Sequence, residues 1–69
     1  MERSPIASSN LATVGYDAES YVLEVEFTNG HVYQYFDVPE TVFQELLTAG
    51  SPGNYLNTQV KPNYRYARQ

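Results

Sequence analysis

The chain of 69 residues contains no cysteine and a single histidine. Without cysteine, no disulfide can hold a small fold together and no thiolate can bind a metal. One histidine would have only carboxylates as companion ligands, so the composition argues against a zinc site. The fold must therefore depend on its apolar core, to which seven tyrosines and three phenylalanines contribute the largest side chains.

Long hydrophobic runs are also absent. No apolar stretch approaches the roughly 18 residues that a membrane-spanning helix requires. Residues 1–9 include one arginine and no apolar centre, so they do not resemble a signal peptide. The lack of cysteine is compatible with a reducing compartment. We therefore expect a cytoplasmic protein with no membrane partner.

The sequence contains no recognisable catalytic motif. Its serines have only His31 as a candidate base, and none lies in a nucleophile-elbow sequence. Glu24 and Glu26 would lie about 7 Å apart on one side of a strand. That separation suits a carboxylate pair for hydrolysis, but it is also typical of an ordinary solvated strand face. We expect a domain that is not an enzyme and that needs no metal or cofactor.

Basic residues are few and unevenly distributed. The chain has four Lys and Arg residues and eight Asp and Glu residues, which gives a net charge of −4. This charge argues against simple electrostatic capture of nucleic acid. Residues 1–45 hold all eight acids and only Arg3, whereas residues 46–69 hold three cations and no acid. Residues 23–39 are therefore acidic, and the C-terminal segment is basic.

Residues 23–39 contain the strongest structural pattern. Apolar and charged residues alternate from Leu23 to Phe27, Asn29-Gly30 follows, and alternation resumes with Tyr33 and Tyr35. Alternation of period two around a glycine turn predicts a β-hairpin. We expect strands over residues 21–28 and 31–36, preceded by a strand over residues 11–16 with Ala12, Val14 and Tyr16 on one face.

Two hairpin registers are compatible with this turn. A two-residue loop at Asn29-Gly30 would place Tyr33 and Tyr35 on the face of the two glutamates. A three-residue loop with Gly30 in a left-handed bulge would instead pair Phe27 with His31. We favour the second register because it gathers more apolar area on one face, and a slip of one residue would exchange the faces. Its apolar face comprises Leu23, Val25, Phe27, Tyr33 and Tyr35.

The second half of the chain predicts helices. Pro39 is suited to a first helical turn, Gly50 to a helix end, and apolar residues recur between them. These apolar residues are Val42, Phe43, Leu46 and Leu47. Ser51-Pro52 predicts the start of a short second helix to about residue 60. The segment 64–66 alternates, so it is expected to form a short strand or to lie over the sheet.

These elements predict one α+β domain over residues 1–69, of order β-β-β-α-α. A three-stranded antiparallel meander would carry both helices on one face, and residues 1–9 would form a loose N-terminal arm. Six residues should provide most of the core: Leu23, Val25, Phe27, Phe43, Leu46 and Leu47.

Several sequence blocks in a fixed order resemble the KTSC domain, a short module found at the C-terminus of some lysyl-tRNA synthetases and as a stand-alone bacterial protein. The match runs from about residue 6 to residue 64. Its blocks are Ser8-Ser9, Gly15-Tyr16-Asp17, residues 23–27, Gly30, Tyr33-Gln34-Tyr35, Val38-Pro39 and residues 51–57. The resemblance implies a binding module, with single-stranded RNA or tRNA as the suggested partner.

The C-terminal segment contains the best candidate RNA-binding residues. Aromatic and basic side chains alternate there, and such mixtures bind single strands through stacking and phosphate contacts. The candidates are Tyr55, Lys61, Tyr64, Arg65, Tyr66 and Arg68. Tyr33 and Tyr35 could also stack on bases, but the favoured register makes them core residues.

A protein partner is the alternative. Val22, Val32 and Phe36 would form a small apolar patch on the outer sheet face, with Glu24 and Glu26 at its rim. An exposed apolar patch with a charged rim suits a partner protein or a second copy of the chain. RNA binding ranks first only because of the resemblance.

Overall fold

An antiparallel sheet of five strands, in chain order, forms one layer of the computed structural model, which describes residues 1–69. The strands are β1 (Ser4–Pro5), β2 (Leu11–Asp17), β3 (Val22–Phe27), β4 (Val32–Tyr35) and β5 (Tyr66–Arg68). Helix α1 (Glu40–Thr48) and helix α2 (Pro52–Tyr55) follow β4, and α2 continues as a π-helical segment, Leu56–Val60. The α+β class is confirmed, but the prediction of three strands was too low by the two edge strands.

The β3–β4 hairpin has the predicted three-residue register. Leu23 pairs with Tyr35 and Val25 with Tyr33. The Phe27 amide donates to the His31 carbonyl at 2.8 Å, and Gly30 has a φ of +91°. Gly30 therefore occupies the left-handed region that glycine adopts without strain. Tyr33 and Tyr35 lie on the apolar face of the sheet, as predicted.

Strand β2 departs from regular alternation near its start. Leu11 pairs with Phe27 but Thr13 pairs with Glu26, so Ala12 is an additional residue in the β2–β3 ladder. This bulge places Leu11, rather than Ala12, on the buried face with Val14. The prediction that Ala12 shares that face was wrong because the sequence pattern assumed an unbroken period of two.

The N-terminal segment, predicted to be loose, contributes edge strand β1. Ser4 pairs with Val14 and Pro5 with Thr13. The segment crosses closely above Gly15, where an added Cβ would lie 2.4 Å from the Glu2 carbonyl oxygen. Because only glycine lacks that atom, Gly15 is what permits the N-terminal segment to dock.

Helix α1 buries a narrower stripe than predicted. Leu46 is fully buried, whereas Leu47 is 41% exposed. Phe43 is half-buried, with its ring stacked on Tyr16 at a centroid distance of 5.3 Å. Leu46 and Leu47 are about 100° apart around the helix, and only Leu46 faces the sheet. The assignment of Leu47 to the core was therefore wrong.

The core lies between the sheet and the helical layer. Three of the six predicted core residues are fully buried, namely Leu23, Val25 and Leu46, while Phe27 and Phe43 are half-buried. The other buried apolar side chains come from β2, the end of β4, the β4–α1 loop and the π-helical segment. They are Leu11, Val14, Tyr35, Val38, Leu56 and Val60.

Candidate functional site

Three tyrosines form a cluster at the β4–β5 side of the sheet. The ring of Tyr66 lies 5.7 Å from that of Tyr33 and 5.8 Å from that of Tyr35, and the Tyr33 and Tyr35 rings are 6.4 Å apart. Tyr66 pairs with Tyr35 across the two strands, so both side chains leave the same face. We call Tyr33, Tyr35 and Tyr66 the tyrosine cluster.

An open cleft of about 360 Å³ lies against the tyrosine cluster. The end of β3, the β3–β4 turn and the residue after the π-helical segment complete it. The lining residues, which define the aromatic cleft, are Phe27, Asn29, His31, Tyr33, Tyr35, Lys61 and Tyr66. No carboxylate is among them.

The π-helical segment places Lys61 at the aromatic cleft. The Lys61 amide donates to the Leu56 carbonyl at 2.9 Å, which closes the wide turn. The Lys61 Nζ lies 5.2 Å from the centroid of the Phe27 ring, within cation–π range. Local widening of a helix of this type is frequent at functional sites.

The three tyrosines differ in how much of each ring is accessible. Tyr35 is 1% exposed and Tyr66 is 59% exposed, while Tyr33 is half-buried. Burial, followed by the neighbouring Tyr33 and Tyr66, raises the pKa of Tyr35 to about 12. Tyr35 is thus uncharged and lies at the base of the cleft, and Tyr66 presents the accessible aromatic surface.

The four Lys and Arg residues fall into two groups. Arg3 pairs with Glu24 at 3.4 Å, and Arg65 pairs with Asp37 at 3.3 Å. Lys61 and Arg68 make no ion pair. Lys61 lines the aromatic cleft, and Arg68 is the β5 register partner of Tyr33, so its side chain leaves the same face.

The structure separates three of the predicted RNA-binding residues from this cleft. The Tyr55 phenol donates to Glu45 at 2.6 Å, and Tyr64 packs half-buried against the core. Arg65 lies over the ring of Phe36 at 5.8 Å, on the opposite sheet face. Of the predicted set, Lys61, Tyr66 and Arg68 are therefore brought together, and they join Tyr33 and Tyr35.

The apolar patch considered for a protein partner is not continuous. Val32 pairs with Glu26 near one end of the β3–β4 ladder, whereas Val22 and Phe36 lie beyond its other end. Between them, the Gln34 side-chain amide donates to Glu24 at 2.9 Å. Polar side chains therefore divide Val32 from Val22 and Phe36.

Sequence reasoning missed Phe27, Asn29 and His31 as cleft residues. The favoured register already paired Phe27 with His31 at the end of the face that carries Tyr33. The part of the cleft that the hairpin forms could therefore have been predicted from the sequence. The missing information was the return of β5 to β4, which places Tyr66 beside that half.

Gly53, in one of the family-like blocks, has a structural role at the start of α2. It packs against the side chain of Asn10, where an added Cβ would be 2.1 Å from Oδ1. The Ser8 hydroxyl donates to the same Oδ1 at 3.0 Å. This contact joins the β1–β2 connection to α2.

Two further features bear on function. No helix has both the length and the apolar character needed to cross a membrane. No three His, Asp or Glu side chains lie close enough together to hold a metal ion.

Comparison with known proteins gives consistent matches. The model of the KTSC domain family matches residues 7–64. An uncharacterized protein of Stutzerimonas stutzeri is 48% identical over 69 residues, covering 99% of this chain and 97% of the relative. A lysine–tRNA ligase of Trichormus variabilis is 41% identical over 51 residues, which are 74% of this chain but 9% of the ligase.

A solved structure agrees with these sequence matches. The crystal structure of a KTSC domain protein from Yersinia pestis superimposes with a TM-score of 0.92 at 32% identity. The superposition covers 99% of this chain and 96% of the other. The family model and this structure together show that the chain belongs to the KTSC domain family.

Proposed function

We propose that this domain is a non-catalytic module that binds single-stranded RNA at the aromatic cleft. The observation that carries the proposal is the placement of charge. Two of the four Lys and Arg residues form ion pairs on the outer face, and the other two flank the tyrosine cluster.

The chemistry of the aromatic cleft suits an unpaired strand. Aromatic rings stack on bases of any sequence, and Lys and Arg contact the phosphates. The accessible ring of Tyr66 and the unpaired Lys61 and Arg68 offer both kinds of contact within one region. A duplex hides its base faces, so a stacking site favours unpaired nucleotides.

The net charge of −4 does not oppose this proposal, because the acids lie elsewhere. Glu24 and Glu26 occupy the outer sheet face, and Glu45 is engaged with Tyr55 on the helices. No carboxylate lines the aromatic cleft. A phosphate bound there could therefore contact Lys61 without repulsion from a carboxylate in the cleft wall.

The relatives support an RNA-related setting. A segment of the lysine–tRNA ligase of Trichormus variabilis is 41% identical to this chain, and that protein acts on a tRNA, as its name states. The segment is 9% of the ligase, which fits an accessory binding module. The absence of a metal-binding cluster and of an activated nucleophile favours binding over catalysis.

The experiment is an NMR titration of the ¹⁵N-labelled domain with an unstructured RNA octamer at 50 mM and 200 mM salt. We expect shifts at residues 27–35, 61 and 66–68, with little change at Arg3 or Val22. Two phosphate contacts on a single strand predict that affinity falls about sevenfold between these salt concentrations. Shifts confined to the outer sheet face, or no shifts at 50 mM, would contradict the proposal.

A further inference from the structure

We infer that the aromatic cleft holds one unpaired nucleotide at a time, an inference that rests on the RNA-binding function proposed above. The first observation is size. The cleft measures about 360 Å³, at the lower end of the roughly 300–1,000 Å³ typical of small-molecule sites. That volume corresponds to about one base with its sugar.

The second observation is the number of stacking surfaces. The rings of Phe27, Tyr33 and Tyr35 pack on one another and are half-buried or fully buried. Of the four phenylalanine and tyrosine rings in the cleft, only that of Tyr66 is largely exposed, at 59%. Each stacked base requires its own accessible aromatic face, so these four rings provide for one base.

The third observation concerns the polar groups around that position. Asn29 accepts a hydrogen bond from the His31 amide through Oδ1 at 3.0 Å, which leaves its side-chain amide nitrogen without a protein partner. The His31 imidazole likewise makes no hydrogen bond to the protein. Both line the cleft beside Lys61. One nucleotide can thus stack its base on Tyr66 and place its phosphate at Lys61. The polar edge of the base would then lie at Asn29 and His31.

The surroundings do not extend the site to neighbouring nucleotides. Tyr21, the other highly exposed tyrosine at 56%, lies at the opposite end of β3 beside the turn that carries Asp17 and Glu19. Carboxylates repel phosphates there. Arg68 is the one additional free cation near the cleft, so an adjacent nucleotide would gain at most a phosphate contact.

The test is a series of oligouridylates of one, two, four and eight nucleotides, each with a 5′-phosphate, titrated against the full chain. After correction for the number of binding positions, we expect dissociation constants that agree within about twofold from the dinucleotide to the octamer. A corrected affinity that rises tenfold or more with length would contradict the one-nucleotide cleft while leaving RNA binding intact.

Two other outcomes separate the inference from the proposed function. If no length binds, RNA binding fails and the inference fails with it. If the mononucleotide binds and the longer chains do not, the cleft takes one nucleotide as inferred, but its ligand is a free nucleotide and the RNA proposal is contradicted.

Variants of Tyr66 test the stacking position directly. Tyr66→Phe keeps the ring and should bind the dinucleotide within about twofold of the parent. Tyr66→Leu removes the ring and should weaken binding about 5- to 150-fold, the range expected for one base–aromatic stack. Tyr21→Leu is the matched control and should bind like the parent. Unchanged binding by a folded Tyr66→Leu domain would overturn the inference.

Discussion

The Tyr55 phenol donates a hydrogen bond of 2.6 Å to the Glu45 carboxylate and so links α2 to α1. Burial, then this hydrogen bond and the Glu45 charge, raise the pKa of Tyr55 from 10.0 to about 12. Because the folded pKa lies above the ordinary value, the stabilising contribution is complete below about pH 10 and is lost as the pH rises toward 12.

Thermal unfolding between pH 8 and pH 11.5 therefore should show a melting temperature that declines above pH 10. Tyr35, with a pKa also near 12 through burial, contributes to the same decline. Tyr55→Phe should make the decline shallower, and Glu45→Gln, which keeps an acceptor but removes the charge, should do so in part. Identical slopes for the parent and Tyr55→Phe would show that the hydrogen bond does not couple folding to pH.

Gly15 lies beneath the N-terminal segment, with no room for a side chain. In Gly15→Ala, the new Cβ would be 2.4 Å from the Glu2 carbonyl oxygen and 2.9 Å from the Arg3 Cγ. Overpacking of this kind destabilises by about 1–3 kcal/mol, so urea unfolding should show a loss in that range. Gly50→Ala is the control, because nothing lies within 4 Å of its added Cβ and its stability should not fall.

The cause of the Gly15→Ala effect can be isolated by removing residues 1–5. In that background the clash has no partner, so Gly15→Ala should have little further effect on the free energy of unfolding. Equal losses in the full and shortened chains would mean that the N-terminal segment is not what Gly15 accommodates.

Leu46 and Leu47 are adjacent in sequence but differ in burial. Leu46 is fully buried and Leu47 is 41% exposed. Leu46→Ala should lower the free energy of unfolding by about 2–5 kcal/mol. That is most or all of the total stability of a domain this small, which is on the order of 3–5 kcal/mol. Leu47→Ala should remain within about 0.5 kcal/mol of the parent. Circular dichroism melts of the two variants make the comparison, and similar melts would show that the helix face is misassigned.

Local patterns predicted the local structure well. The three-residue loop at residues 28–30 set the face of Tyr33, and Pro39 with Gly50 bracketed α1. These features depend on neighbours in sequence. The bulge at Ala12 and the exposure of Leu47 depend instead on what packs against each element, which periodicity does not contain.

The candidate site was predictable only in part for the same reason. Tyr33, Tyr35, Lys61, Tyr66 and Arg68 were each identified, but as two separate groups. Their union requires β5 to pair with β4 across about 30 residues of chain. A three-residue strand has too little sequence pattern to predict that pairing.

The proposed RNA binding depends on where the positive charge lies, and two double variants compare the two locations. Lys61→Gln/Arg68→Gln removes the two cations without an ion pair, one lining the aromatic cleft and one beside Tyr33. Arg3→Gln/Arg65→Gln removes the two that are paired on the outer face. Both lower the net charge by the same amount, so bulk electrostatics are matched. At 50 mM salt, titration with the RNA octamer should show binding largely lost in the first variant and retained within about threefold in the second. Equal losses in both, or the greater loss in the second, would contradict the account.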